Sequence, residues 1–267
     1  MSVHLLLFHG MINLERRKRI LDILAEEGNI KTLDLSDRLG VTGATIRTDL
    51  RDLAREGAIV RYHGGVSLPN SKFNDVGENY MVRSIQHVEL KNIIGREAAK
   101  LVGTGDTIFM DASSTTSHMI PYLRSTENVT VITNGIHTAM ELQHHSYFKS
   151  IILLGGMLRP HSGAIEGVMS REQITRLSGD YYFVSGNGFS VEGGLTGNNF
   201  FELELKRMCA ERSKHIVALV DSTKIGIDSA SRFIPTERID YLITDSGIDE
   251  ETVKAVKSKG INVIIAE

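Results

Sequence analysis

The stretch Thr42–Leu53, TGATIRTDLRDL, decides how the front of this chain folds. Thr42 is a good helix N-cap, and Thr45 stands three residues on. Ile46, Leu50 and Leu53 recur at i, i+4 and i+7, which turns one apolar stripe toward a core. The other side carries Ala44, Arg47, Thr48, Arg51 and Arg55, with nothing large and apolar among them. Small, hydroxylic and guanidinium groups suit reading base edges while holding phosphates. They also suit an ordinary solvated helix, so the flanking sequence has to decide.

Ahead of it, Leu14 to Glu27 reads as a first helix. Ile20, Ile23 and Leu24 face inward, Arg16, Arg17, Lys18 and Arg19 fill its first turns, and Gly28 stops it. Thr32 is expected to cap a short second helix that ends at Gly40. Two short helices joined by a tight glycine turn, the second with a polar outer face, have helix-turn-helix spacing. After Gly57, Ala58–Tyr62 and Val66–Leu68 are β-like around the turn His63-Gly64-Gly65, a hairpin that makes a wing. Arg61 and His63 on that wing can touch phosphate or minor groove, although a turn histidine with no role fits His63 as well. The candidate DNA-binding set is Thr42, Ala44, Thr45, Arg47, Thr48, Arg51, Arg61 and His63. Asp49 is unfavourable beside DNA; its place at the edge of the apolar stripe predicts a pair with Arg16, Arg17 or Arg19 instead.

With 267 residues, 41% of them hydrophobic, the chain has room for one or two domains with a real core. A net charge of −3 gives no global basic signal; residues 11–70 carry 10 Lys+Arg against 9 Asp+Glu, and the remainder 20 against 24. A nucleic-acid surface therefore has to be a local patch. No apolar run is long enough to span a bilayer, and MSVHLLLFHG has no positive charge before its LLLF, which argues against a secretory signal and a membrane partner. Residues 1–12 read as a flexible extension, with Met11 offering a second start. The lone cysteine, Cys209, excludes an internal disulfide framework, fits a reducing cytoplasm and falls in a helical pattern where packing outweighs reactivity. Among ten histidines, His144 and His145 are adjacent and point apart, while His118, His137 and His161 lack partners at ligand spacing, so no metal and no cofactor is expected. Gly186-Asn187-Gly188 lacks the third glycine of a dinucleotide fingerprint.

The winged module is placed at 13–69, a linker at 70–88 with a connecting helix around 78–95, and an α/β domain at 89–267. There, apolar strands at Thr107–Met110, Val129–Thr133, Ile151–Leu154, Tyr182–Val184, His215–Val220, Tyr241–Ile243 and Asn262–Ile265 alternate with helices, including one at Thr115–Leu123 that Pro121 is expected to kink or shorten. That alternation predicts a mostly parallel sheet covered on both faces. Ligands of such sheets bind beyond the carboxyl ends of the strands. Five polar clusters fall there: Asp111 to Thr116, Thr133-Asn134, Gly155-Gly156 with Arg159, Ser185-Gly186-Asn187-Gly188, and Asp221 to Lys224. Each is weak alone; five at one edge point to a small-molecule site. Hydroxyls and N–H groups opening a helix after Asp111 suit a phosphate.

The segment from Glu15 to Val66 resembles the N-terminal winged helix-turn-helix of the DeoR family of bacterial transcriptional regulators. The tokens are Arg16, Ile20 and Leu24, then Thr45-Ile46-Arg47 with Asp49-Leu50, then Glu56-Gly57, Arg61 and His63-Gly64-Gly65. Thr48 departs from a second basic residue common in the family. The second half is similar to the family's effector domain, itself similar to ribose-5-phosphate isomerase and related sugar-phosphate folds. It does so through Asp111 with Ser114-Thr115, Asn134, Gly155-Gly156, Arg159, Gly186, Glu202, Glu204, Lys206, and Asp221 with Lys224; Ser113 stands where the family usually has glycine. The resemblance implies that Ser113, Ser114 and Thr115 hold a phosphate and that Asp111, Asp221 and Lys224 face a sugar, with Asn134, Gly155, Gly156, Arg159, Gly186 and Asn187 around them. Glu202 and Lys206 either join this site or form an i, i+4 surface pair. The expectation is a cytoplasmic transcriptional regulator, a repressor of carbohydrate-metabolism genes. It acts as a dimer or tetramer on double-stranded operator DNA under control of a phosphorylated sugar. The alternative is a sugar-phosphate isomerase or deaminase with a DNA-binding appendage, in which Asp111, Asp221, Lys224 and Glu202 supply acid and base groups.

Overall fold

A computed structural model describes residues 3–62, 65–68, 80–125, 127–160 and 162–267. Backbone contacts divide it into two units, Met1–Gln86 and His87–Glu267.

In the first unit, α1 spans Val3–Glu27 and so begins well before Leu14. No proline interrupts that leucine-rich opening, which leaves nothing to stop the helix. Gly28, at φ +74°, ends it. β1 (Asn29–Lys31) follows, a strand that the sequence pattern does not announce. It runs straight into α2 (Thr32–Leu39), so Thr32 is the first helical residue and not the cap. Lys31 holds the cap position and contributes no side-chain cap. Gly40 closes α2 in the left-handed conformation, and α3 (Gly43–Arg55) starts after a tight turn, with Thr42 Oγ1 accepting from Thr45 N at 3.2 Å. β2 (Val60–Tyr62) and β3 (Gly65–Ser67) pair antiparallel, and β1 adds to the free side of β3. Among the described residues the wing is thus a three-stranded sheet, β1-β3-β2. His63 and Gly64, with the expected turn and the His63 contact, lie outside the described residues. α4 (Tyr80–Ile85) packs against α1, and its Val82 and Ile85 enter one core with Ile20, Leu24, Leu35, Ile46, Leu50 and Leu53.

The single helix expected over 78–95 is therefore two. α5 (Val88–Ala99) is separated from α4 by His87, whose φ of 52° puts it in the left-handed region, a conformation uncommon for a residue with a Cβ. α4 belongs to the first core and α5 to the second unit.

In chain order the second unit continues with β4 (Thr107–Met110), α6 (Ser114–Ser117), β5 (Val129–Thr133), α7 (Ile136–Leu142) and β6 (Phe148–Leu153). Next come β7 (Met157–Leu158), β8 (Ile165–Glu166), α8 (Val168–Ile174), β9 (Gly179–Val184), β10 (Gly188–Ser190), β11 (Gly194–Gly197) and α9 (Phe200–Glu211). The chain closes with β12 (Ser213–Leu219), β13 (Ser231–Ile234), β14 (Tyr241–Asp245), α10 (Glu250–Ser258) and β15 (Asn262–Ala266). The seven strands expected from sequence make one parallel sheet in the order β15-β14-β12-β9-β4-β5-β6. Alternation assigns the two faces: Ile108, Met110, Phe183, Val217 and Leu219 look to one core, Phe109, Tyr182, Val184, Ile216 and Ala218 to the other. The antiparallel pair β7-β8 and the antiparallel sheet β10-β11-β13 are additions with no apolar period of their own. α6 stops at Ser117, and a 3₁₀ turn over Ile120–Ser125 holds Pro121, which cannot donate into an α-helical ladder. Strand order reverses between β4 and β9: β5 and β6 lie to one side of β4, and all later sheet strands lie to the other. The carboxyl ends of β4 and β9 flank the crevice where doubly wound sheets take their ligands.

Candidate functional site

The outer face of α3 is built by what α3 buries. Ile46, Leu50 and Leu53 are wholly buried, so the helix cannot roll, and Thr42, Ala44, Arg47, Thr48 and Arg51 stand exposed, with Thr45 half-buried beside them. Asp49 shares the buried side. Its carboxylate takes two hydrogen bonds from Arg16, Nε–Oδ2 at 2.5 Å and Nη2–Oδ1 at 3.1 Å, with Arg17 Nε a further 3.7 Å from Oδ1. Arg17 goes on to Asp52 at 2.5 Å and Glu56 at 3.1 Å. Arg16 and Arg17 are thereby spent on fastening α1 to α3, as the position of Asp49 on the wheel predicts, while Arg19 does not reach it. Arg51 lies 68% exposed, its nearest carboxylate, Asp52, at 4.0 Å. Thr48 donates to Ala44 O at 3.2 Å, so its hydroxyl proton is used within the helix and its oxygen is left to accept. Arg61 is exposed on β2.

In the second unit, Asp111 leaves β4 fully buried, and its carboxylate is filled by protein donors. Ser113 N (3.1 Å) and Thr116 Oγ1 (2.9 Å) reach Oδ1; Ser185 N (3.1 Å) and Lys206 Nζ (2.9 Å) reach Oδ2. Lys206 is itself buried and completes its donors on Glu202 Oε1 at 3.1 Å and Ser185 O at 2.9 Å. Glu202 and Lys206 are an i, i+4 pair, but turned inward, joined to Asp111 and not laid on the surface. Burial pushes the Asp111 carboxyl up, but the Lys206 charge and the hydrogen bonds outweigh it and hold it below its usual range. Burial likewise favours neutral Lys206, and the charges of Asp111 and Glu202 reverse that and raise it. The knot ties the ends of β4 and β9 to α9 across the strand-order reversal.

At the end of β12, Asp221 is wholly buried, accepts from Thr223 Oγ1, and pairs with Lys224 Nζ at 3.3 Å from Oδ2. Burial pushes its carboxyl up; the Lys224 charge, then Thr223, bring it below normal. The loop is seated by Asp245 at the end of β14, whose carboxylate accepts from Ser222 N at 2.7 Å and Gly247 N at 2.9 Å. Two buried hydroxyl oxygens along this edge, Ser185 Oγ and Thr244 Oγ1, have no hydrogen-bond partner among the described residues; they lie at the ends of β9 and β14, on either side of β12, where Asp221 Oδ2 meets Lys224 Nζ. Buried polar atoms rarely go unmet, so this edge carries hydrogen-bonding capacity that its own side chains do not use. Thr244 and Asp245 are absent from the sequence-based site, and Ser185 enters it only within the Ser185–Gly188 cluster; the run Thr244-Asp245-Ser246-Gly247 is a sixth polar cluster of the same kind that would have flagged the other two.

The remaining expected residues form a second group past β5 and β6. Asn134 Nδ2 donates to Ile165 O at 3.1 Å and Asn134 O accepts from Ile165 N at 2.7 Å, so this residue anchors β8. Arg159 N donates to Ala164 O at 2.8 Å. Gly155 is held through Gln173 Oε1 and Ser170 Oγ, each at 2.8 Å. A Cβ on Gly156 would lie 2.5 Å from Glu166 O, and one on Gly186 2.8 Å from Thr196 O, so both glycines are required by close backbone packing. Asn187 is exposed beyond β9. Ser113 caps α6, accepting from Thr116 N at 3.2 Å; Ser114 and Thr115 are buried beneath the same loop. Among the described residues there is no group of His, Cys, Asp and Glu that could hold a metal, and no helix long and apolar enough to cross a membrane.

Residues 16–72 match the family model of the DeoR-like helix-turn-helix domain, and residues 86–246 that of the DeoR C terminal sensor domain. The chain belongs to the DeoR family of transcriptional regulators. It is 38% identical over 257 residues to the HTH-type transcriptional regulator GolR of Listeria innocua, covering 96% of this chain and 100% of the relative. To the glycerol-3-phosphate regulon repressor of Escherichia coli it is 29% identical, over 87% of this chain and 90% of that one. Among solved structures, ribose 5-phosphate isomerase A from Neisseria gonorrhoeae aligns with a TM-score of 0.40 at 12% identity, over 56% of each chain. The DeoR-family relatives bear the names of regulators.

Proposed function

We propose that this DeoR-family chain is a repressor of carbohydrate-metabolism genes whose hold on operator DNA is controlled by a phosphorylated sugar. α3 enters the major groove, with Thr42, Ala44, Thr45 and Thr48 toward base edges and Arg47 and Arg51 toward bases or phosphates; Arg61 on the wing meets the backbone. Two copies present two such helices to two half-sites. The effector lies along the carboxyl edge of the parallel sheet. Its hydroxyls meet Ser185, Asp221 and Thr244, Lys224 supplies a partly exposed positive charge, and the Ser113–Thr115 loop and Arg159 border its phosphate. Asp111, Glu202 and Lys206 act as the frame of that pocket. The observation that carries this reading is the row of buried polar groups, Ser185, Asp221 and Thr244, at the carboxyl ends of three adjacent strands beginning beside the strand-order reversal, with the Ser185 and Thr244 hydroxyls unmet. The name of the Escherichia coli relative, a glycerol-3-phosphate regulon repressor, supports a phosphorylated polyol or sugar as the class of effector.

The test is a thermal-shift series of phosphorylated sugars against their unphosphorylated parents, followed by operator gel shifts with and without each hit. A phosphorylated compound should raise the melting temperature and change operator binding, since a ligand that binds only the folded state stabilises it. In Lys224→Ala, operator binding should persist while the response to the compound is lost. Equal shifts with the unphosphorylated parents would refute the phosphate assignment.

A further inference from the structure

We infer that a second copy of this chain seats on an apolar patch at the carboxyl end of the parallel sheet. Six large side chains stand there in solvent: Met157, Leu158, Val168, Met169, Phe200 and Phe201, each between 54% and 68% exposed. They are neighbours. β7, which carries Met157 and Leu158, pairs with β8, and β8 runs through Gly167 into α8; a Cβ on Gly167 would lie 3.3 Å from Met157 Cε. α8 and α9 pack side by side on one face of the sheet, each leading into a parallel strand, and Arg171 of α8 is paired with Glu204 of α9. Val168-Met169 and Phe200-Phe201 come about one turn before those two charged residues, so both apolar pairs crown the same end of the helix layer.

Size and chemistry choose the occupant. With about 150–250 Å² per aromatic side chain and similar areas for Met and Leu, six residues this exposed present on the order of 700 Å². That exceeds the roughly 300–600 Å² of the largest patch on a typical monomer and approaches the roughly 800 Å² that each partner gives to a standard interface. The charged pairs beside the patch are spent within the fold, Arg171 on Glu204 and Lys206 on Glu202, which leaves them poor anchors for an anionic lipid surface. A two-fold contact lays the phenylalanines of one copy against the methionines of the other, a favourable sulfur–aromatic arrangement, and homodimer interfaces are the most apolar class. The patch is also interleaved with the proposed effector edge: Gly155-Gly156 runs into Met157, and Phe201 into Glu202. That link to control rests on the function proposed above; the interface itself does not.

The experiment is sedimentation equilibrium of the full chain, without DNA or sugar, for the natural sequence, Phe200→Ser/Phe201→Ser and Val168→Lys/Met169→Lys. The natural chain should sediment as a dimer or larger. Each variant with an unchanged circular dichroism spectrum should fall toward the 29.5 kDa monomer, its self-dissociation constant raised roughly tenfold or more. Should one variant misfold, the other decides. A natural chain that stays monomeric throughout the micromolar range overturns the inference. So do folded variants that keep the natural mass, which would move self-association to the open edges at β6 and β15. Because no ligand is present, this failure is distinct from failure of the effector reading.

Discussion

Asp49 puts a carboxylate on a helix proposed to lie against a polyanion, and the fold tolerates it by turning it away, to 1% exposure, under two hydrogen bonds from Arg16. Breaking one side of such a buried pair typically costs about 3–5 kcal/mol. Asp49→Ala should therefore lower the melting temperature of the first unit by several degrees and weaken operator binding only through that loss; a melt identical to the natural chain would contradict the role. Arg51 is the opposite case. Arg51→Ala should leave the melt unchanged, weaken DNA binding, and reduce the slope of log K against log salt by about one unit if it neutralises a phosphate. The Asp111–Lys206 pair makes a pH prediction. The Asp111 carboxyl is held below its ordinary 3.8, so its contribution is complete above that value and fades as pH falls through the lower folded one. Lys206 is raised above 10.5, so its contribution is complete below that and fades as pH rises through the higher folded value. The pair should thus leave the melting temperature of the second unit flat between about pH 5 and 9. In Lys206→Met, burial dominates at Asp111, its pKa rises, and acid unfolding should begin at higher pH. A midpoint that stays put in an acid titration would mean the pair is not what holds that edge together.

At the level of elements, the sequence was readable where an element carries its own period. The seven strands of the parallel sheet are buried on both faces, so each shows as an apolar run, and α3 shows its stripe. β1, β7, β8, β10, β11 and β13 run two to four residues and owe their existence to partners, as Ile30 does to Val66 and Met157 to Glu166. No local pattern reveals such strands. The helix boundary at His87 was hidden for the same reason: both flanking segments are amphipathic, and only their burial in different cores breaks the helix between them. Site residues were legible by type and topological edge, but not their division of labour. That Asp111 is consumed by Lys206, or that Asn134 serves Ile165, depends on neighbours far away in sequence. Asn134→Ala removes the Nδ2 donor to Ile165 O but keeps the backbone bond from Ile165 N, so β8 should be loosened and not freed, seen as modestly faster amide exchange at Ile165 with little change in global stability; unchanged exchange would leave the side-chain anchor idle.

Across the whole molecule, one core serves the winged module and α4, and two more serve the faces of the parallel sheet. Each unit thus has the means to hold its shape while the other changes its ligand. The sulfur atoms are divided as unevenly as the charges. Cys209 lies under α9, buried, with its thiol pushed far up by that burial, so the thiolate through which many proteins sense peroxide is effectively missing here. In a copy that has come away from its partner, the sulfurs a peroxide can reach include the thioethers of Met157 and Met169, and conversion to sulfoxide makes each of them polar. Ageing in air should then loosen the pairing of copies well before it unfolds either one, and methionine sulfoxide reductase, not dithiothreitol, should be what restores it.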